Sequence, residues 1–346
     1  MKRARFWVGI GISLICLGLA LRGVEWGRVW QYLREARYSY LMAAVLIFVA
    51  GLGARAFRWQ LLFFPRRDLS RMRLFAISNI GYLLINILPA RVGDLARAYL
   101  VSRGGQVSAA YALSTIVVER IYDTLSAVLM LALISPFIPL PSWAAQGGLI
   151  VGAAILVLAA FLFVLGTQRE RLLDLWRWAA ERIPWLARLG LEGTIPSALE
   201  GLAVLRNPKV ALGVLGWSGA VWACNFGPFY LVMRALSLDL PWGAAAFTLS
   251  VTALSMIIPS SPGYVGVFEE GVILSLGLFA AKRETALAYG LLIHTLNYVT
   301  VNLLGLIGLW QESCGAWCVK RGAKPGLRST LYALRSTRQC STNHKE

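Results

Sequence analysis

The chain has 346 residues, 58% of them hydrophobic and 15% charged, with a mean hydropathy of +0.63. Soluble domains carry about a quarter charged residues, so this composition excludes a soluble globular protein and implies an all-α polytopic membrane protein. The net charge of +17, from 34 Lys+Arg against 17 Asp+Glu, would suggest nucleic acid in a soluble chain; here it reads as basic loops beside anionic lipid, and no nucleic-acid partner is expected.

Met1-Lys2-Arg3-Ala4-Arg5 before an apolar run imitates a secretory signal. No small-x-small cleavage site follows at a suitable place and Arg22 closes the run, so an uncleaved first helix is expected. Full spans are expected at 6–22, 39–60, 109–133, 147–166, 209–233 and 285–311. The loop after the first span carries Trp26 and Trp30, which fits a helix lying in the membrane interface. The runs at 74–88, 243–258 and 265–281 are too short to cross.

Two of these short runs stop at similar breaks. One is Asn86-Ile87-Leu88-Pro89-Ala90-Arg91-Val92-Gly93-Asp94; the other is Met256-Ile257-Ile258-Pro259-Ser260-Ser261-Pro262-Gly263-Tyr264. Broken helices in matching positions of two halves point to a transporter's substrate site. The placement of Lys and Arg sets the topology. The N-terminus, the 65–73 loop, the 167–208 segment and the tail are basic and should be cytoplasmic, whereas 134–146 and 237–242 hold no Lys or Arg. By this count 74–104 enters and leaves on the cytoplasmic side and 243–281 on the outer side, giving two opposed re-entrant hairpins. Arg22, Arg28, Arg34, Arg37, Lys282 and Arg283 then fall on the outer side, against the rule. The expected organisation is one membrane domain over 1–312, containing a cytoplasmic amphipathic loop at 167–208, and a basic cytoplasmic tail at 313–346. Within the loop, a tryptophan-rich helix broken by Pro184 and Pro196 reads as a solvated linker. Pro89, Gly93, Ala112, Leu113 and Asp123 find counterparts in Pro259, Gly263, Ala286, Leu287 and Asn297, the trace of an inverted repeat.

Ionisable residues inside membrane segments are costly and mark bundle interiors or functional paths. Arg55 and Arg58 end the second span. Arg91, Asp94 and Arg97 recur every three residues after the first break, and Glu119, Arg120 and Asp123 lie mid-span. Glu269 and Glu270 follow the second break. Five arginines against five carboxylates permit full internal pairing, so these charges either pin helices together or handle a ligand. After a break, free backbone N–H groups and a helix N-terminus favour anions, and arginine suits phosphate through bidentate bonds. Ser260, Ser261 and Gly263 would add donors. His294, on an apolar face, reads as a hydrogen-bonded packing residue in preference to a proton relay.

No nucleophile elbow, phosphate-binding loop, zinc motif or dinucleotide fingerprint occurs, so an enzyme, a cofactor or a metal is not expected. Glu119 or Asp123 acting as the base of an intramembrane transferase stays open. The five cysteines show no metal-ligand spacing, and Cys16 and Cys224 read as packing residues.

Four motifs in order, Arg55 to Trp59, Asn86 to Arg97, Glu119 to Asp123 and Pro259 to Glu269, resemble the lysylphosphatidylglycerol synthase transmembrane family, also called flippase-like domain proteins. The resemblance covers about residues 6–312. It implies a membrane unit like the flippase part of the multiple peptide resistance factor, without its aminoacyltransferase domain. Other members of that family sit with hopanoid or glycolipid biosynthesis. Asp94 stands where the family usually has Glu, and Tyr264 where it usually has a second Gly. The resemblance and the breaks together lead to an expected function: translocation of an anionic or zwitterionic lipid across a cytoplasmic membrane. The alternative is an intramembrane enzyme or accessory subunit of envelope-lipid synthesis, with lipid-synthesis enzymes as partners. Expected substrate-binding residues are Arg55, Arg58, Asn86, Pro89, Arg91, Gly93, Asp94, Arg97, Glu119, Arg120, Asp123, Pro259, Ser260, Ser261, Gly263 and Glu269, with Arg91 and Arg97 holding a phosphate.

Overall fold

A computed structural model describes residues 2–66, 69–88, 92–138, 141–182, 193–257 and 260–320. Pro89, Arg91, Pro184 and Pro259 lie outside the described residues. Within them the chain is helical: α1 (Lys2–Leu21), α2 (Trp26–Glu35), α3 (Tyr38–Leu62), α4 (Arg71–Ile87), α5 (Val92–Ser102), α6 (Ala109–Ile134), α7 (Ser142–Thr167), α8 (Arg169–Arg182), α9 (Thr194–Glu200), α10 (Pro208–Ala235), α11 (Trp242–Ser255), α12 (Val267–Gly277) and α13 (Arg283–Lys320). Short 3₁₀ turns at Ala203–Arg206 and Pro262–Tyr264 complete it.

Four helices are long and apolar enough to cross a membrane: α3, α7, α10 and the Arg283–Ser313 part of α13. A bent pair, Gly9–Leu21 with Trp26–Glu35, would make a fifth, but the bend is 84°. α2 therefore turns across the end of α1, as its tryptophans suggested. α6 has 26 residues, enough to span, yet fails on apolarity because Glu119, Arg120 and Asp123 sit at its centre. That failure locates the polar heart of the fold.

The expected repeat is visible in the packing. α3 to α6 and α10 to α13 each run as a long helix, a short helix, a break, an 11-residue helix and a second long helix. α3 and α10 lie antiparallel along their whole length. The Arg37 N–H donates to the Ala235 carbonyl at 2.9 Å. Further along, Ile47 meets Gly227, Cys224 meets Gly51, and Leu61 meets Gly213. Each half lends its broken hairpin to the other half: α4 packs on α13, and α11 packs on α6.

α13 serves as a ruler for the two hairpins. Near its C-terminal end Arg73, at the start of α4, pairs with Glu312 at 3.3 Å. Gly308 and Gly305 then lie against α4 backbone at Ala76 and Asn79, so close that only glycine fits. Asn86, at the end of α4, donates to the Asn302 side chain at 3.1 Å. From the other end, Arg283 reaches the Leu19 carbonyl of α1, Val272 of α12 touches Gly290, and Gly263 at the second break meets Tyr298. The hairpins thus approach from opposite ends of α13 and meet between residues 298 and 302, about 6 Å of helix. A Cβ on Gly263 would lie 3.5 Å from the Asn86 carbonyl, so the two breaks touch.

Two details of the 167–208 segment differ from expectation. Leu173, Leu199, Leu202 and Val204 are buried with Tyr111 and Leu62 in one apolar cluster, so the segment packs on the bundle and is not a solvated linker. Pro196 does not break a helix; it occupies the first turn of α9, where its missing N–H has no intrahelical partner to lose. α13 continues through residue 312 to Lys320.

Candidate functional site

Seven charged residues form one chain of ion pairs beside the first break. Arg55 meets Asp123 at 3.5 Å. Asp123 accepts from Arg58 at 2.7 Å, and Arg58 gives its other terminal nitrogen to Glu119 at 3.1 Å. The second Glu119 oxygen accepts from Arg97 at 2.8 Å. Arg97 lies 3.7 Å from Asp94, which accepts two bonds from Arg120 at 2.7 and 3.0 Å. The elements explain the order. α3 supplies Arg55 and Arg58 one turn apart, α5 supplies Asp94 and Arg97, and α6 supplies Glu119 and Asp123 on one face. Arg58, Arg97 and Glu119 are at most 1% exposed.

The α4–α5 hairpin that brings Arg97 inward is unusually tight. A Cβ on Gly93 would overlap the Gly81 carbonyl, and one on Gly81 would overlap the Arg97 side chain. Gly93 is thus required by packing. Arg97 lies over the Trp59 ring at 4.1 Å and near the Tyr82 ring at 5.5 Å, and the Trp59 indole donates to Thr115 at 3.1 Å. Ser218 of α10 accepts from Arg58 at 3.3 Å. Tyr82, Trp59 and Ser218 were not singled out in the sequence. Trp59 adjoins Arg58, which is the one signal that pointed to it.

Several polar atoms here are buried without a hydrogen-bond partner: Arg58 Nε, Arg97 Nε and Nη1, Arg120 Nε and the Tyr82 hydroxyl. Among the described residues the network holds four arginines and three carboxylates, one positive charge in excess.

The balance of five against five is therefore not realised in one place. Glu269, Ser260, Ser261 and Gly263 do not join the arginines. Glu269 accepts from the Gly266 N–H at 2.7 Å, capping α12, and pairs with His294 of α13. Glu270 faces Arg283 at 3.9 Å. Ser261 N–H donates to Ser13 of α1 at 2.8 Å. Asn86 stands between the groups, bonded to Asn302 and beside Gly263. Glu119 and Asp123 both meet guanidinium groups, with both Glu119 oxygens bonded, which leaves little room for the proton-accepting role that an intramembrane transferase would ask of them. Tyr264 has φ +60. A glycine would adopt that left-handed backbone without strain; this chain holds it with a tyrosine.

The family profile described as the lysylphosphatidylglycerol synthase TM region matches residues 6–305. The chain belongs to this family. Similar proteins include the glycosyltransferase AglD of Haloferax volcanii, 24% identical over 345 residues that cover 87% of this chain and 53% of that protein. A UPF0104 membrane protein of Methanocaldococcus jannaschii is 25% identical over 230 residues, covering 64% of this chain and 91% of the relative. Another from Methanothermobacter thermautotrophicus is 22% identical over 316 residues, covering 87% and 93%. The chain spans about half the length of AglD. No solved structure matches. Membership of the family and four helices fit to span a bilayer establish an integral membrane protein.

Proposed function

We propose that the protein translocates a phosphate-bearing membrane lipid, with the arginine network beside the first break receiving the head group. The observation that carries this reading is the excess of one positive charge in a network whose centre, Arg58, Arg97 and Glu119, is buried, together with guanidinium N–H groups that have no hydrogen-bond partner. Buried charge without compensation is strongly unfavourable, and a phosphate monoanion supplies the missing charge and the acceptors in one group. Arg97 and Arg120 act as the phosphate donors with Tyr82. Glu119 and Asp123 hold the arginines in place and do not contact the lipid. Arg91 stays in the proposal on its sequence position after the break. Acyl chains remain in the bilayer while the head group passes where the two breaks meet. The cytoplasmic membrane and cytoplasmic termini belong to this reading through the positive-inside rule.

Reconstitution into liposomes with a labelled phospholipid tests it. Wild-type protein should move the label between leaflets, and Tyr82→Phe and Arg91→Ala should slow the movement at least tenfold with the fold intact. Unchanged rates in both would remove the phosphate role.

The name of the AglD relative favours a second reading: the membrane unit presents a lipid-linked substrate to a glycosyltransferase. Covalent change of the lipid by a co-expressed partner, with no leaflet movement by the protein alone, would select it.

A further inference from the structure

His294, half-buried, and Glu269, buried, form a second polar unit away from the arginines. His294 Nδ1 lies 2.5 Å from Glu269 Oε1, and its Nε2 lies 2.9 Å from the Gly263 carbonyl. The other Glu269 oxygen accepts the Gly266 N–H. Both ring nitrogens thus face oxygen atoms, and a carbonyl only accepts. The Nε2 position must carry a proton to bond Gly263. The Nδ1–Oε1 contact then needs a second proton, on the ring or on the carboxyl. A neutral imidazole facing a carboxylate has only one proton for two bonds. One contact would then set lone pair against lone pair.

The Phe268 ring lies tilted against His294 at 4.9 Å between centroids, and the Tyr298 ring meets it edge-on at 6.2 Å. Among the described residues Glu269 is the charged side chain that His294 meets. Glu270, also on α12, turns toward Arg283. From α1, Ser13 bonds the Ser261 N–H and Gly9 lies beside Ser260. From α4, Asn86 is engaged with Asn302, and Arg73 pairs with Glu312 far along α13. From α2, Arg28 pairs with Glu25, Gln31 donates to Glu35, and Arg34 lies over Trp30. From α10, the Phe229 carbonyl accepts from the Tyr289 hydroxyl.

We propose that the Glu269–His294 pair is a proton-binding site that clamps the second break onto α13. With the proton bound, one ring ties the first turn of α12 and the Gly263 carbonyl to the spanning helix. Loss of the proton removes one of the two ties and frees the 260–266 turn from Tyr298 and Asn86. The closed form binds one more proton than the open form, so low pH favours closure and rising pH favours opening. One linked proton changes the open fraction by up to tenfold per pH unit.

The test measures labelling of Ser261→Cys by a membrane-impermeant maleimide in proteoliposomes, in a chain whose five native cysteines are replaced. Labelling, divided at each pH by the rate of a fully exposed reference cysteine so that the growing thiolate fraction cancels, should accelerate about tenfold per unit as pH rises through the transition. Glu269→Gln satisfies every bond without a titrating proton, because the amide accepts from Gly266 N–H and donates to Nδ1 while Nε2–H keeps Gly263. It should label slowly at all pH. His294→Gln cannot tie both partners and should label fast at all pH. The wild-type pH slope persisting in Glu269→Gln, or fast labelling of that variant, would overturn the clamp. Because lipid movement is not read, the result stands apart from the function proposed above.

Discussion

The two broken hairpins share a shape and differ in how their interiors are held. The α4–α5 hairpin is fixed by arginine–carboxylate pairs reaching α6 and α13 and by glycine-to-backbone contact. The α11–α12 hairpin is apolar apart from the Glu269–His294 pair, Glu270 facing Arg283, and hydroxyls that bond their own helix, such as Thr252 and Ser275. Two packings of similar geometry thus rest on different physics. Charges that lose their partners inside a bilayer protein are far more damaging than a lost cap, so the halves should respond differently to matched changes.

The largest contrast is expected at the two glutamates. Glu119→Ala leaves Arg58 without one partner and Arg97 without its shortest one, and should lower stability by about 3–5 kcal/mol. Glu269→Ala loses one cap and one side-chain bond, about 1–2 kcal/mol. Thermal denaturation in detergent compares them directly, and equal losses would erase the distinction. A matched glycine pair comes next. Gly93→Ala forces α5 off α4 at a cost of about 1–3 kcal/mol. Gly271→Ala meets Ser255 and Thr252 at ordinary contact distances of 3.5 and 3.6 Å and should shift the midpoint little. Asp94→Asn weakens a half-buried pair with Arg120 by about 1 kcal/mol or less; a larger loss would mean that the network is cooperative end to end. The smallest effect runs the other way. Tyr264→Gly relieves a left-handed backbone and should raise stability by about 0.5–1 kcal/mol; a drop would show that the tyrosine ring contributes more than its backbone strain.

Much of this was legible in the sequence. The short runs ending at Asn86 and Met256 announced helices that stop, and Lys/Arg placement alone assigned them to opposite sides, because each count of crossings must close. The charged residues of α3, α5 and α6 were recognisable from their helical spacing. Which carboxylate meets which arginine was not, since pairing is decided by helices far apart in sequence. Grouping Glu269 with the arginines failed because charge counting ignores that the second break lies on the other side of Asn86. Gly93 was read as part of a ligand loop, whereas the Gly81 carbonyl against it shows a packing demand. The buried leucines of 167–208 were missed because six arginines spread through the segment make it read as a solvated surface, although its leucines outnumber them.

The glycine seam at Gly305 and Gly308 has a mechanical consequence. It joins α13 to α4 so closely that the two helices must travel together. His294 rides on the same rod, eleven residues from Gly305. Rocking of the first hairpin is therefore delivered to the second break as displacement of the ring that fastens it. One hairpin works as handle and the other as latch, and no separate messenger between them is required.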